Sequence, residues 1–256
     1  MSDFQSFGFG QNDAAIATRA KKFKGEKGVT YRIGFALWPG MEEGTDFTID
    51  NLTPADGAPD EALTPKFIAA PRHYVQANGS SFYCLDKGPE FAKIIGKPAK
   101  TGVATVVVVW PLEQGKPTKA SLFGSKPQVL PWIISLDKYE RFKKMHLSGY
   151  PMWDWDVSAE CTDPGFQKFD FLPAKDNIFK AMLKSTSAEG QALAQFVIER
   201  ARSLAPGLGR ELGLDLTVDQ LRERMGLDVA SPTGAMGGTA AGAGEVEDLI
   251  GSMLDD

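Results

Sequence analysis

Apolar and polar residues alternate most clearly from 29 to 38, VTYRIGFALW. Val29, Tyr31, Ile33, Phe35 and Leu37 fall on one side; Thr30, Arg32, Gly34, Ala36 and Trp38 fall on the other. A period of two is that of a strand, and it predicts a core face opposed by an open face carrying a cation and an indole. KFIAAPRHYVQANGSSFYCLD (66–86) predicts two strands joined at Asn78-Gly79, since a two-residue hairpin turn requires positive φ at both positions. TGVATVVVVW (101–110) is apolar on both faces, as a central strand must be. ASLFG (120–124), QVLPWII (128–134), MWDWDVSAE (152–160) and FQKFDFL (166–172) predict further short strands, the last two around a turn at 162–165.

Helical spacing takes over elsewhere. SLDKYERFKKMH (135–146) places Leu136, Tyr139, Phe142 and Met145 on one stripe and leaves Lys138, Arg141, Lys143 and Lys144 largely in water. After residue 185, a capping box of Thr186 and Glu189 precedes Leu193, Phe196, Val197 and Leu204, and a second box of Thr217 and Gln220 opens a helix that stops at Gly226. Asn12 or Asp13 caps a short helix running to Phe23. Pro39, Pro54, Pro59 and Pro65 forbid long regular structure in 39–65. Five or more short strands with one interposed helix predict a mainly β fold: an OB-type antiparallel barrel, a helical C-terminal extension and a disordered tail. The divisions that follow are a flexible basic arm at 1–27, the OB-type core at 28–175, the helical extension at 176–226 and a flexible acidic tail at 227–256.

Charge changes that picture more than composition does. The net charge of −5 is unevenly divided: residues 227–256 hold six acids and no base, and 39–65 hold seven acids and no base. What remains is basic, +3 on 1–38 and +5 on 66–226, so the acidity is assigned to segments that do not pack. No apolar run approaches the length of a membrane helix, and MSDFQSFGFG lacks the layout of a secretory signal. Two cysteines are too few for a disulfide framework, which suggests a reducing, cytoplasmic setting.

A cationic groove interleaved with aromatic rings is the chemistry that holds single-stranded nucleic acid, phosphates against the cations and bases against the rings. The strands interleave both types: Arg32 with Trp38, Arg72 with Tyr74, Lys119 with Phe123, Lys126 with Trp132. Lys138, Arg141 and Lys144 on the predicted helix are auxiliary phosphate contacts. Residues 231–244 (SPTGAMGGTAAGAG) form a low-complexity linker. Beyond it, Val246, Leu249, Ile250, Met253 and Leu254 recur at helical spacing inside an acidic peptide ending in Asp255 and Asp256, a partner-binding pattern.

A basic arm, a strand-rich core, a Gly/Ala-rich linker and a terminal acidic-hydrophobic peptide resemble the replicative single-stranded DNA-binding proteins of tailed bacteriophages. FIAAPRHYVQANGSSFYC is similar to that family's hairpin, with a His before the Asn-Gly turn and a Cys after it. The resemblance implies sequence-independent binding and protection of single-stranded DNA in phage replication, recombination and repair, within the bacterial host cytoplasm. It further implies recruitment of phage replication and recombination proteins through the tail, and cooperative coating of the strand. The family's C-P-x-C pair is missing after Cys84, and His73, Cys84, His146 and Cys161 have no ligand-pair spacing, so neither a metal nor another cofactor is expected.

Two other readings stand beside this one. Asp154, Asp156 and Glu160 are the carboxylates a metal-dependent nuclease would use, although alternation also suits Asp154 and Asp156 to the wet face of a strand. No Walker loop, G-x-S-x-G or dinucleotide fingerprint equips another catalytic class, and the expectation is a non-enzyme. A protein-only adaptor would keep the barrel and the tail without a basic groove.

Overall fold

A computed structural model describes residues 21–41, 44–59, 62–163 and 168–227. Seven antiparallel strands form one sheet: β1 (Thr30–Phe35), β2 (Ile68–Ala77), β3 (Ser80–Leu85), β4 (Lys100–Trp110), β5 (Gln128–Ser135), β6 (Trp155–Asp163) and β7 (Lys168–Lys175). The hydrogen-bonded order is β3-β2-β4-β1-β6-β7, with β5 on β4. β4 is the hub. β5 runs along it from Gly102 to Val109, while β2 pairs its first half and β1 its second. Those registers overlap, so β1 and β2 lie end to end on the edge of β4 away from β5. Residues of both parities, Val103, Ala104, Val106, Val107 and Val108, are buried in the main core, so both faces of β4 are covered, which explains the unbroken apolar run.

Seven helices are described: α1 (Pro89–Ile95), α2 (Lys119–Gly124), α3 (Leu136–Leu147), α4 (Ile178–Leu183), α5 (Ala188–Leu204), α6 (Leu208–Leu212) and α7 (Val218–Met225). Strand accounts for 31% and helix for 35%, so the expected mainly β fold fits loosely: one antiparallel sheet accompanied by helices. The sheet is open. Among the described residues no pairing joins its two ends, and the backbone does not close a barrel. Aromatic packing nonetheless draws β5 towards β7: the Trp132 ring lies 5.8 Å from Phe169 and 5.9 Å from Phe171, with Phe142 of α3 4.7 Å from Phe171.

Several expectations are corrected by packing. ASLFG is not a strand but most of α2, because Thr118 caps the helix through Ser121 and so captures the segment locally. α5 is capped by Ser187, which accepts from the Gly190 N–H, one residue after the expected box. α1 was not foreseen, and α4 and α6 lie within the expected helical extension without having been singled out, all three being too short to show helical periodicity. The helices of 178–212 are no appendage, since Leu193, Val197, Ile198, Ala201, Leu208 and Leu212 share one core with β1, β4 and β5. Nor does the acidic loop stay free: Met41, Phe47, Leu52 and Leu63 are buried, and Phe47 stacks on Phe179.

The end of the basic arm is likewise anchored, and residues 21–26 are not helical. Phe23 is buried among Tyr31, Trp132 and Phe169, and its N–H donates to the Pro131 carbonyl. Lys22 Nζ pairs with Glu211 of α6 at 3.0 Å. The rest of the predicted first helix, the linker and the terminal peptide 245–256 lie outside the described residues. Among the described residues, no helix is long and apolar enough to cross a membrane.

Candidate nucleic-acid interface

The Asn78-Gly79 turn sets the site. Asn78 has φ 50° and Gly79 φ 74°, the pair of positive angles that lets a two-residue turn follow strand twist. With that turn fixed, Tyr74 must oppose Tyr83, Arg72 must oppose Leu85, and His73 must oppose Cys84. Alternation then separates two faces. His73, Val75 and Cys84 turn inward, and Val75 and Cys84 join Phe91, Leu216 and Leu221 in a second small core beneath the hairpin. Helix α7 secures the tip, where Asn78 Nδ2 donates to the Arg224 carbonyl at 3.2 Å.

On the outward face, Tyr74 is 43% exposed and Tyr83 44%, with ring centroids 5.2 Å apart. The Arg72 guanidinium lies 4.0 Å over the Tyr83 ring and donates to the Leu212 carbonyl at 3.1 Å. Burial pulls the Arg72 pKa down from its ordinary value, with Tyr83 working the other way. Arg72 reaches this position by crossing Gly102 of β4, where any Cβ would strike its side chain. Lys100, directly opposite Arg72 on β4, adds an exposed cation to the same face. Two rings, a stacked guanidinium and an ammonium therefore form one short platform on a braced hairpin.

The other expected groove residues do not join it. Trp38 is fully buried at 0% exposure, its indole N–H donating to the Phe35 carbonyl, and Trp132 is buried at 1% within the aromatic core. Neither ring can meet a base in this arrangement, because the apolar demand of the interior has claimed both. Arg32 is a structural ion pair: its Nε lies 3.1 Å from Asp156 Oδ2, and its Nη2 donates to the carbonyls of Lys175 and Asp176. Lys119 and Phe123 sit one turn apart on α2, both exposed, and Lys126 stands 5.8 Å over Phe196 of α5.

Lys138 is half-buried over Phe169, burial pulling its pKa down, while Arg141 and Lys144 are exposed on α3. Trp132, which packs on α3 through Phe142, opposes Thr105, five residues from Lys100. An odd spacing along β4 puts α3 and the tyrosine platform on opposite faces of that strand. No single trench gathers the expected cations.

No protein-family model matches the chain, and no curated protein matches it either.

The nuclease carboxylates are dispersed. Asp156 is fully buried rather than on a wet face, Asp154 pairs with Lys180 at 2.6 Å, and Glu160 is exposed near the far end of β6. Among the described residues, no group of three or more His, Cys, Asp or Glu side chains could hold a metal. His73 does face Cys84 across the hairpin, but its Nε2 is 3.1 Å from Asp86 Oδ1, and burial pushes the Cys84 thiol up. Tyr83 and Lys100 are the functional candidates that residue interleaving missed. The turn register pointed to Tyr83, since a two-residue loop at 78–79 fixes Tyr74 opposite Tyr83.

Proposed function

We propose that the chain binds single-stranded nucleic acid without sequence preference, using the outward face of the β2–β3 hairpin. The observation that carries this reading is the exposed Tyr74–Tyr83 pair with Arg72 stacked on it and Lys100 beside it. Monomeric proteins have little reason to leave two adjoining rings in water, and a base stacked on such a ring contributes about 1–3 kcal/mol. Arg72 and Lys100 supply the phosphate attraction that makes such binding salt-dependent. In this reading the curled sheet serves as an OB-type scaffold. The bacteriophage resemblance supplies the setting: protection of single-stranded DNA during replication, recombination and repair in a bacterial host cytoplasm, coating the strand cooperatively, with the acidic terminal peptide recruiting replication proteins and no catalysis.

The direct test is anisotropy of labelled oligo(dT) against a duplex of equal length. Trp38, Trp110, Trp132 and Trp153 are buried, so intrinsic tryptophan emission is a poor reporter of the strand. Preferential, salt-sensitive binding of oligo(dT) supports the proposal; silence at low salt refutes it and leaves the protein-only adaptor.

A further inference from the structure

The outward face of the β2–β3 hairpin does not end at its tyrosines. Register sets three cross-strand rows on it: Arg72 opposite Leu85, Tyr74 opposite Tyr83, and Gln76 opposite Ser81. Successive rows stand about 7 Å apart, so the Gln76–Ser81 row lies about 14 Å from Arg72. Lys100 pairs with Arg72 from β4, which puts the cations at one end, the polar pair at the other and the rings between. The polar row borders a depression of about 400 Å³ lined by residues 76–81. Part of the polarity there is spent on the turn itself. Asn78 Nδ2 donates to the Arg224 carbonyl at 3.2 Å, and Ser80 Oγ donates to the Ala77 carbonyl at 3.0 Å. Gln76 Nε2 donates to the Tyr74 hydroxyl at 3.2 Å, which tethers the far edge of that ring to the polar row. Gln76 Oε1 and the Ser81 hydroxyl take no partner among the described residues, and both side chains are exposed.

The order of cation, ring and polar pair follows the order of parts in one nucleotide. With the phosphate at Arg72 and Lys100 and the base on a tyrosine, the base edge farthest from the sugar reaches Gln76 and Ser81. In purines and pyrimidines alike, that is the Watson–Crick edge. We propose that Gln76 and Ser81 hydrogen-bond this edge and so select unpaired bases. The inference rests on the hairpin reading and adds the reason a duplex binds less well: its pairing edges are already engaged with the opposite strand. It also leaves the site tolerant of sequence. An amide oxygen accepts equally from a ring N–H or an exocyclic amine, and a hydroxyl turns to donate or to accept.

Thymidine methylated at N3 isolates the edge, since the methyl group blocks pairing and leaves the stacking face, sugar and phosphates as they were. Labelled oligo(dT) and its fully N3-methylated counterpart of equal length are titrated by anisotropy against the whole chain. Wild type should bind the methylated strand at least about fivefold more weakly, the loss expected for one or two neutral hydrogen bonds. Gln76→Leu/Ser81→Ala, at two exposed positions, should bind oligo(dT) about as weakly as wild type binds the methylated strand, and should no longer tell the two apart. Equal wild-type affinities overturn the proposal. So does discrimination that survives in the double variant, because a Gln76 that merely steadied Tyr74 would weaken both strands alike and leave their ratio unchanged. Tyr74→Ala/Tyr83→Ala keeps the two failures distinct. If it weakens oligo(dT) while wild type ignores the methyl group, the hairpin reading stands and the edge contact falls. If it leaves oligo(dT) binding intact, the hairpin reading falls and takes the edge contact with it, as does a wild type silent towards both strands.

Discussion

Tyr74 and Tyr83 face each other across the β2–β3 hairpin, ring centroids 5.2 Å apart, on the side that the small core under the hairpin leaves in water. Neither ring is needed to fill the interior. Tyr74→Ala should thus leave stability nearly unchanged while weakening oligo(dT) binding by about 1–3 kcal/mol. Tyr83→Ala should cost at least as much, because Arg72 loses its stacking surface as well. Thermal melts beside anisotropy titrations separate the two effects.

Gly102 is the route by which Arg72 reaches Tyr83. Gly102→Ala needs no unusual backbone angle, but its Cβ would occupy space now held by the Arg72 side chain. Arg72 is flexible and should move aside, so the fold should survive with a loss on the order of 1 kcal/mol from the Leu212 hydrogen bond. Oligo(dT) affinity should fall towards that of Arg72→Ala. Adding Arg72→Ala to Gly102→Ala should then cost little more, and full additivity in the double-mutant cycle would contradict the coupling.

The Arg32–Asp156 pair predicts the opposite pattern. Arg32→Met leaves a carboxylate buried without its partner, which costs about 3–5 kcal/mol in urea unfolding, whereas Arg32→Met/Asp156→Leu should recover much of that. Strand affinity of the folded protein should be unaffected in both. Burial pushes the Asp156 carboxyl up to about 7 against the pull of Arg32. A carboxyl harder to ionise in the folded than in the unfolded chain stabilises at low pH, and that contribution is lost as pH rises from about 4 to about 7. The stability of wild type relative to Asp156→Asn should decline across that window and level off above it.

Phe23 tests whether the basic arm is rooted in the core. Phe23→Ala removes a ring packed on Tyr31, Trp132 and Phe169 and should cost about 3–5 kcal/mol. A change below about 1 kcal/mol would mean that residues 21–27 behave as a free arm.

Elements were legible where the local pattern carried its own chemistry: the Asn78-Gly79 hairpin, the doubly apolar β4 and the Thr217–Gln220 box of α7 all formed. Alternation failed where both faces of a strand are covered. Arg32 looked solvent-facing because its side of β1 alternates with the core side, but its ion pair with Asp156 holds it half-buried, while Trp38, past the end of β1, is buried in the main core. Charge counting failed in the same way at 39–65, where four apolar residues dock although the loop is acidic. Arg72 and Tyr74 came from interleaving alone. Tyr83, Lys100 and Gly102 required register, which residue type does not carry.

The decisive measurement is a salt series of oligo(dT) anisotropy titrations on wild type and on Tyr74→Ala/Tyr83→Ala. With Arg72 and Lys100 as the phosphate contacts, wild-type affinity should fall with salt at a log–log slope of about −1 to −2, and the double variant should bind far more weakly at every salt concentration. Binding that is absent at low salt, or that the two substitutions leave intact, would contradict a strand-binding role for the hairpin face.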